Sequence, residues 1–327
     1  METGSTDPHF NLAFEEYVLL HRRSGNYLLL WQNDNTIVIG QNQNTEEEIN
    51  RKTVEELGIS VVRRTTGGGA VYHDLGNLNY SFITDVEDAE KLTMEQFTVP
   101  VVTALKALGL DAEASGRNDI TVSGKKVSGT AQRMHKDRIL YHGTLLFHSD
   151  PKVIEAALRV DPEKFSSKSA KSVRSRVGNI RDMLPEEQKD MKIEDLKEHI
   201  LREISAGSFE RGSLDENELL EVDKLRKEKY EKWEWNYGRS PAFSMKKKRR
   251  WDGGSLEVRA FVEKSGIISE IAFYGDYLSL RPADEIVAAI KGVRLKKNEI
   301  GAVLDKYQLK EYFGSITKEE ILGTIFE

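Results

Sequence analysis

The residues with the clearest chemical meaning lie in one stretch, 63–73, which reads Arg-Arg-Thr-Thr-Gly-Gly-Gly-Ala-Val-Tyr-His. Successive glycines have a high conformational entropy cost, and they are typical of backbone at positive φ or of main chain that lies against a ligand. Guanidinium groups, bare backbone amides and an imidazole all bind anions. The stretch therefore predicts an anion-binding site, although a glycine-rich hairpin without a ligand produces the same pattern.

A second informative stretch, residues 116–131, predicts two short strands joined by a tight Ser-Gly turn. Side chains alternate between the two faces of a strand, so Lys126 and Ser128 are expected on one face and Val127 on the other. Lys126 is thus predicted to reach a cleft while Val127 packs in the core.

Hydrophobic periodicity predicts the elements that would position these residues. The first predicted helix begins at Asp7-Pro8. Further helices are predicted over residues 45–58, 93–109, 193–205 and 215–230, and two more after Pro282 and after Thr317. The predicted strands cover residues 27–31, 36–39, 59–64, 77–83, 120–122, 126–131, 138–147, 256–262 and 267–274. A Thr45/Glu48 capping box is expected to begin the second helix, and Pro100 to interrupt the third. The basic run 245–250 predicts a solvated connection, or alternatively a contact with an acidic partner.

Composition restricts the functional class. The chain has 327 residues, a formal net charge of −6 and no cysteine. The length predicts about two domains, and the acidic balance argues against a nucleic-acid partner. Without cysteine there are no disulfides, thiolate metal sites or cysteine nucleophiles. No apolar run is long enough to cross a bilayer and the first residues are unlike a signal peptide, so we expect a cytoplasmic protein without a membrane partner.

Taken together, several motifs resemble the lipoate-protein ligase A family in order and spacing. They are residues 6–13 (Thr-Asp-Pro-His-Phe-Asn-Leu-Ala), 63–74, Asn118-Asp119, 126–129 (Lys-Val-Ser-Gly), 142–144 (His-Gly-Thr) and 172–177 (Ser-Val-Arg-Ser-Arg-Val). The resemblance implies an α/β (α+β) fold: a biotin/lipoyl ligase-like catalytic domain with mixed sheets and flanking helices, over residues 1–244. A small α+β accessory domain is expected over residues 245–327.

The family resemblance also implies an activity. Free lipoate would be activated with ATP and Mg²⁺ to lipoyl-AMP with release of pyrophosphate. The lipoyl group would then pass to a specific lysine of a lipoyl-domain protein, such as an E2 subunit of a 2-oxoacid dehydrogenase or the glycine cleavage H protein. Such a transfer needs positioning and charge neutralisation more than covalent help from the protein.

The implied catalytic residue is Lys126, whose ammonium would bridge the carboxylate and the α-phosphate and stabilise the oxyanion. Arg64 would hold phosphate in a bidentate manner, and Asp119 is the candidate Mg²⁺ ligand. The implied lipoate- and ATP-binding residues are Arg64, Gly68, Gly69, Ala70, Val71, Tyr72, His73, Asn118, Asp119, Lys126, Ser128, Gly129, His142, Ser172, Val173 and Arg174.

Structural alternatives stay open for several of these residues. His73 and His142 could buttress the site through hydrogen bonds, Asn118 could cap a turn, and Asp119 could form an ion pair with Arg117 or Lys126. The residues near Val71, Leu78 and Tyr80 could form an apolar tunnel for the lipoyl tail, or equally the core. Residues 166–179 could fold over the adenylate, as the resemblance implies, or form a solvated loop.

Other functions compete with the ligase hypothesis. One is a lipoyltransferase that uses preformed lipoyl-AMP, and another is a lipoate carrier without enzymatic activity. Acyl transferases of the same fold use a cysteine nucleophile, which this chain lacks. A biotin ligase is disfavoured because Arg-Arg-Thr-Thr-Gly-Gly-Gly stands where a Gly-Arg-Gly-Arg loop would be expected.

Overall fold

The computed structural model describes residues 1–86, 93–116, 118–158, 177–206, 208–237, 245–263 and 265–326. It has the predicted mixed α/β architecture. The strands are β1 (Tyr27–Trp31), β2 (Thr36–Ile39), β3 (Ser60–Arg63), β4 (Val71–His73), β5 (Asn77–Asp85), β6 (Ala112–Ser115), β7 (Asp119–Val122), β8 (Lys125–His135), β9 (Arg138–Leu146), β10 (Met245–Trp251), β11 (Gly254–Val262) and β12 (Ile268–Gly275).

Helices flank the sheets. They are α1 (Pro8–His21), α2 (Thr45–Glu48), α3 (Arg51–Glu56), α4 (Glu95–Ala107), α5 (Pro151–Ala157), α6 (Ile180–Met183), α7 (Ile193–Ile204), α8 (Glu216–Leu225), α9 (Trp233–Asn236), α10 (Asp284–Ile290), α11 (Lys297–Leu304), α12 (Leu309–Phe313) and α13 (Lys318–Phe326). A π-helical turn, Arg226–Tyr230, continues α8.

The largest sheet has six strands in the order β1-β5-β9-β8-β7-β6, all paired antiparallel. Its two faces differ in chemistry. Leu78 and Tyr80 of β5 lie in the core that α4 and α7 cover, as the alternation predicted. Asn79 and Ser81 occupy the other face, because successive side chains of a strand point to opposite sides. A buried strand with one polar face indicates that something other than core packs there.

A smaller sheet, in the order β3-β2-β4, lies opposite that polar face and holds the glycine-rich stretch. The loop between β3 and β4 spans residues 64–70. β1 and β2, although adjacent in the sequence, belong to different sheets, so the turn between them carries the chain from one sheet to the other.

Helix α1 packs between the two sheets. Asp7 caps it by accepting a hydrogen bond from the backbone N–H of His9 at 3.0 Å, and proline occupies the first turn, as predicted. Leu12 and Phe14 join a core cluster with Leu29 of β1 and Val38 of β2. The same helix also buries polar side chains, among them Asn11 and Glu15, toward the interior.

The C-terminal residues build a core of their own. β10, β11 and β12 form a three-stranded antiparallel sheet, and α10–α13 cover it around a cluster that includes Leu256, Ile286 and Phe313. The basic run 245–250 is strand β10 and not the solvated connection that was predicted. Lysines and arginines are suited to such an edge strand because their charge discourages pairing with another chain. The predicted domain boundary at 244/245 falls beside residues 238–244, outside the described residues, and stays a prediction.

Two predicted helices differ from the structure. Residues 45–58 form two short helices, α2 and α3, separated at Ile49 and Asn50. The prediction of a Thr45/Glu48 capping box is wrong, because the Thr45 hydroxyl instead donates to the carbonyl of Asn236 at 2.5 Å. Pro100 lies inside the continuous helix α4, whose burial against the core outweighs the hydrogen bond that proline removes.

Within the described residues, no helix is long and apolar enough to cross a membrane.

Candidate active site

A cavity of about 330 Å³ lies between the polar face of the large sheet and the small sheet. Its lining residues come from both sheets, α1 and the glycine-rich loop. Of the predicted site residues, it is lined by Arg64, Gly68, Gly69, Ala70, Val71, His73, Asn118, Asp119, Lys126, Gly129 and His142. The structure thus brings together residues that are far apart in the sequence, and their binding roles stay predictions.

Arg64 is buried and faces inward to the glycine-rich loop. Its guanidinium donates to the carbonyl oxygens of Gly67 at 2.6 Å and Gly69 at 2.8 Å. It also donates to the carbonyl oxygen of Val38 and to the hydroxyl oxygen of Thr66. Four of its five N–H donors therefore have protein acceptors. The predicted bidentate hold on phosphate is not available in this arrangement. Arg64 instead orders the loop from behind and leaves a cation beside the cavity.

Arg63, the residue before Arg64, orders the neighbouring segment 40–43 in a similar way. Its guanidinium donates to backbone carbonyls of Gly40, Gln41 and Gln43, at 2.8, 3.1 and 2.7 Å, and to that of Trp235 at 2.9 Å. Burial lowers the pKa of each arginine to about 10, which keeps both charged at neutral pH. Two buried cations held by carbonyl oxygens create a positive region around the loop.

Lys126 stands at the more open side of the cavity. Its Nζ lies 2.6 Å from Asp119 Oδ1, and the two side chains are 38% and 33% exposed. Of the alternatives for Asp119, the structure contains the ion pair with Lys126. This pair holds the ammonium toward the cavity without burying it, so a stronger anionic ligand can reach it.

Ser128 does not lie on the same face of the strand as Lys126, contrary to the prediction. The pairing of β7 with β8 shifts between Ile120 and Thr121, where Ile120 opposes Ser128 and Thr121 opposes Lys126. This one-residue bulge breaks the alternation, so Ser128 turns inward to the Tyr80 hydroxyl at 3.5 Å. Ser128 is fully buried and lies outside the cavity lining. The bulge brings Gly129 to the cavity instead.

His142 is held by a chain of polar contacts. Its Nδ1 donates to Glu15 Oε1 of α1 at 2.8 Å, and its Nε2 lies 2.8 Å from the Thr66 hydroxyl oxygen. That same oxygen accepts from Arg64 Nε, and Glu15 also accepts from Ser81 at 2.5 Å. These contacts tie α1, the large sheet and the glycine-rich loop together. Of the alternatives for His142, they support buttressing of the loop.

His73 is oriented by a second chain from α1. Asn11 Nδ2 donates to Asn33 Oδ1 at 2.9 Å, which leaves Asn33 Nδ2 facing His73 Nδ1 at 3.2 Å. His73 Nδ1 is therefore the acceptor, and the ring hydrogen lies on Nε2. Burial lowers the pKa of His73 to about 3, with the nearby Arg64 adding to the effect, so the ring is neutral. Nε2 has no hydrogen-bond partner among the described residues.

The remaining predicted residues fall into three groups. Asn118 lines the cavity and also anchors β8, because its Nδ2 donates to the Thr130 carbonyl at 3.0 Å. Tyr72 points away from the cavity, into the core beneath the small sheet, and donates to Asn35 Oδ1 at 3.0 Å. Ser172, Val173 and Arg174 lie outside the described residues, as does most of the stretch 166–179.

Several lining residues were not predicted from the sequence. They are Leu12, Trp31, Val38, Asn79, Thr130, Ala131, Gly143, Thr144 and Asp276. Asn79 had a detectable signal, since Asn77, Asn79 and Ser81 alternate with apolar residues along a strand with a buried core face. Three residues were expected to form either an apolar tunnel for the tail or the core. Leu78 and Tyr80 belong to the core, and only Val71 lines the cavity.

The C-terminal residues also reach the site. The Tyr277 carbonyl accepts from the backbone N–H of Gly68 at 3.3 Å, and a Cβ on Gly67 would lie only 2.8 Å from that same oxygen. Asn42 donates to the Ser279 hydroxyl at 3.0 Å. The glycine-rich loop is therefore held between Arg64 on one side and the segment after β12 on the other.

The cavity has two chemically different ends. Lys126 and Asp119 form a partly exposed, charged side, whereas Leu12, Trp31 and Val38 are almost completely buried. A ligand with an acidic head and an apolar tail matches this arrangement, with the head beside the ammonium and the tail between the sheets.

Comparison with known proteins gives matches along most of the chain. The family described as lipoyl protein ligase A/B catalytic domain matches residues 7–205, and bacterial lipoate protein ligase C-terminus matches residues 240–325. The chain is 45% identical to lipoate-protein ligase LplJ of Bacillus subtilis, covering 98% of this chain and 97% of that protein. It is 40% identical to lipoate–protein ligase 1 of Staphylococcus aureus, covering 97% and 96%.

Solved structures agree with these sequence matches. P. falciparum LipL1 in complex with lipoate has a TM-score of 0.81 at 26% identity, covering 94% of each chain. A bipartite lipoate protein ligase from Thermoplasma acidophilum, described with its E2 lipoyl domain, has a TM-score of 0.65 at 33% identity, covering 75% of this chain and 97% of that one. A lipoate-protein ligase A bound with ATP has a TM-score of 0.62 at 30% identity, covering 73% and 96%.

Proposed function

The chain belongs to the lipoyl protein ligase A/B family, and from this membership we propose that it is an ATP-dependent lipoate-protein ligase. It activates free lipoate to lipoyl-AMP and transfers the lipoyl group to a lysine of an acceptor protein. The observation that carries the proposal is the two-ended cavity, with the Lys126 ammonium at its charged side and a buried apolar end between the sheets.

The two steps place different demands on the chain. In the first, a lipoate carboxylate oxygen forms a bond to the α-phosphorus of ATP while the bond to pyrophosphate breaks. In the second, the acceptor amine forms an amide with the carbonyl carbon, and AMP departs as the amine loses its proton. Negative charge develops beside the carboxyl group in both steps, where a fixed ammonium lowers the barrier. Lys126 is the residue we assign to that role.

The glycine-rich loop supplies the second part of the site. Arg64 binds carbonyl oxygens of this loop and Arg63 binds those of the segment 40–43, so both leave positive charge close to the loop. We assign the backbone of Gly68, Gly69 and Ala70 to contact with the nucleotide or the lipoyl carbonyl. Because Arg64 already bonds the loop, its contribution to anion binding is its charge and not direct hydrogen bonding.

We also propose that a magnesium ion enters this site with ATP. Among the described residues, no three His, Cys, Asp or Glu side chains cluster as a metal site. Mg²⁺ in nucleotide sites often uses few carboxylates together with phosphate oxygens, and Asp119 is the carboxylate we assign to it. The ion would neutralise the pyrophosphate leaving group. Asp119→Asn is expected to raise the Mg²⁺ concentration for half-maximal pyrophosphate release, and an unchanged requirement would contradict the assignment.

We propose lipoyl domains as the acceptors, namely E2 subunits of 2-oxoacid dehydrogenases and the glycine cleavage H protein. The Thermoplasma ligase described with its E2 lipoyl domain supports the first of these. Dependence on ATP favours the cytoplasm as the place of the reaction.

Pyrophosphate release from ATP and Mg²⁺ with lipoate tests the first step, and the mass of a purified lipoyl domain tests the second. Lys126→Ala is expected to reduce lipoate-dependent release by about a hundredfold or more. Lys125→Ala is the matched control, because Lys125 is the exposed neighbour on the same strand and lies outside the cavity lining. If the chain transfers the lipoyl group from synthetic lipoyl-AMP but releases no pyrophosphate from ATP and lipoate, it is a lipoyltransferase and not a ligase. Binding of lipoate with neither step would indicate a carrier.

A further inference from the structure

The inner end of the cavity is not simply apolar. Two polar side chains there, His73 and Asn79, are 3% and 2% exposed and line the cavity beside Leu12, Trp31 and Val38. His73 Nε2 and Asn79 Nδ2 both lack a hydrogen-bond partner among the described residues. Buried donors without partners are uncommon in folded proteins, because each one carries the cost of its lost hydration. Such a pair in a cavity wall points to a ligand that accepts hydrogen bonds.

Each donor is fixed by a neighbour behind it. The Asn11–Asn33 chain keeps the hydrogen of His73 on Nε2, as described above. Asn79 Oδ1 accepts from Asn77 Nδ2 at 3.1 Å, which turns Asn79 Nδ2 outward from that contact. The two donors come from opposite sheets, since His73 is on β4 and Asn79 on β5. Anything held between the sheets at this end meets an N–H from each side.

The position of Lys126 determines which part of the substrate lies there. With the carboxylate at the Lys126 ammonium, the tail must extend away from the exposed side toward the buried residues of the cavity. For lipoate, the tail ends in a dithiolane ring. Its two sulfur atoms are weak hydrogen-bond acceptors, and sulfur also packs favourably against aromatic rings such as that of Trp31.

We propose that His73 and Asn79 select the dithiolane ring by donating hydrogen bonds to its sulfur atoms. The proposal rests on the proposed lipoate ligase function and adds a preference among acids. An acid with an unsubstituted or purely hydrocarbon tail leaves both donors facing carbon. A site built around hydrogen-bond donors discriminates against an analogue that lacks the acceptor, since the donors then stay unpaired.

Three acids separate ring shape from sulfur chemistry. They are lipoate, octanoate, and 5-cyclopentylpentanoate, in which a cyclopentane ring replaces the dithiolane. In the native chain, kcat/KM for pyrophosphate release is expected to be on the order of tenfold or more higher for lipoate than for the cyclopentyl acid. Comparison of the cyclopentyl acid with octanoate measures the contribution of ring shape alone.

Two variants test the donors separately. Asn79→Leu and His73→Phe each remove one N–H while keeping a side chain of similar size. Each is expected to reduce the lipoate-to-cyclopentyl ratio several-fold, because lipoate loses a partner and the hydrocarbon acid does not. Thr84→Val is the control: it removes a hydroxyl from the same strand, where Thr84 contacts Asn26 away from the cavity. That variant is expected to keep the native ratio.

A ratio near one in the native chain, or a native ratio retained by both donor variants, would overturn the proposal. The ratio is taken within each variant, so a general loss of folding affects all three acids alike and does not mimic selectivity. Calorimetric Kd values for the three acids without ATP give the same ratio independently of turnover. If the native chain binds the acids selectively but releases no pyrophosphate, the ligase function fails while the selectivity stands.

Discussion

Buried arginines usually pair with carboxylates, yet Arg64 is surrounded by carbonyl and hydroxyl oxygens. A guanidinium is suited to this because it is planar and carries five N–H donors in a fixed arrangement. Lysine offers a single nitrogen and cannot reach four acceptors on different sides. The geometry of the glycine-rich loop therefore depends on arginine specifically, and not on positive charge alone.

Arg64→Lys is accordingly expected to lower the free energy of unfolding by about 2–3 kcal/mol, because several carbonyl oxygens lose their donor inside the protein. Urea denaturation of the purified variant measures the change. Arg202→Lys is a suitable control, since the Arg202 side chain is 66% exposed. Equal stability of the two variants would mean that the loop does not need the guanidinium.

His73 gives the molecule a specific pH dependence. Burial lowers its pKa from 6.5 to about 3. Between these values the unfolded chain binds a proton that the folded chain does not, so this contribution to stability is complete above pH 6.5 and declines as the pH falls toward 3. In that window the contribution of His73 to the free energy of unfolding falls by about 1.4 kcal/mol for each pH unit.

His73→Phe is therefore expected to make the unfolding free energy less dependent on pH between 6 and 4, by about 1 kcal/mol per pH unit. Urea titrations at several pH values, on native and variant protein, measure the two slopes. Parallel slopes would show that His73 is not held neutral in the folded chain.

At the scale of elements, the glycine-rich loop depends on a glycine outside it. A Cβ on Gly40, just after β2, would lie 2.0 Å from the Gly68 carbonyl oxygen, which is a backbone atom and cannot rotate away as a side chain could. By contrast, a Cβ on Gly69 would meet nothing within 4 Å. Sequence inspection singles out the triplet, whereas a Cβ on Gly40 would approach the glycine-rich loop more closely than a Cβ on any glycine of the triplet would approach its neighbours.

We expect Gly40→Ala to destabilise the protein by about 3 kcal/mol, since the loop must move to admit the methyl group. Gly69→Ala is expected to change stability by less than about 1 kcal/mol. Thermal or urea unfolding of both variants makes the comparison. If Gly69→Ala lowered the free energy of unfolding as much as Gly40→Ala does, backbone flexibility, and not the close approach of neighbouring atoms, would explain the glycines of the triplet.

Elements were more predictable from the sequence than contacts. Strand β5, which alternates strongly, was predicted with nearly correct bounds, and the start of helix α1 was predicted correctly, because local periodicity and the Asp7 cap determine them. Ser128 was misplaced because a bulge is a property of strand pairing, which one strand's sequence does not specify. The partners of Arg64 were not predictable for a similar reason: three of the four are backbone carbonyls, which every residue possesses. Helix α1 shows the same limit, since its buried Asn11 reaches His73 through Asn33, and its buried Glu15 contacts His142 directly.

At the scale of the whole molecule, the cavity and the C-terminal core draw on largely different residues. All cavity-lining residues precede residue 238 except Asp276. The C-terminal core cluster draws only on residues from 245 onward. The segment after β12 nevertheless contacts the first part of the chain: the Tyr277 carbonyl accepts from Gly68 N–H of the glycine-rich loop, and the Ser279 hydroxyl accepts from Asn42. Apart from Asp276, the cavity is thus lined by residues before 238, and the segment after β12 contacts the glycine-rich loop.

Two fragments test this division. Residues 245–327 are expected to unfold cooperatively on their own, because their core needs no residue from the rest of the chain. Residues 1–244 are expected to bind lipoate with a Kd within about tenfold of the full chain, since only Asp276 of the cavity lining is removed and the lost Gly68–Tyr277 hydrogen bond is equivalent to roughly 1 kcal/mol. Circular dichroism and calorimetry measure these properties. A fragment 1–244 that is folded but binds lipoate more than a hundredfold more weakly would show that the C-terminal unit helps to form the acid site, and the boundary between the units would then have no functional meaning.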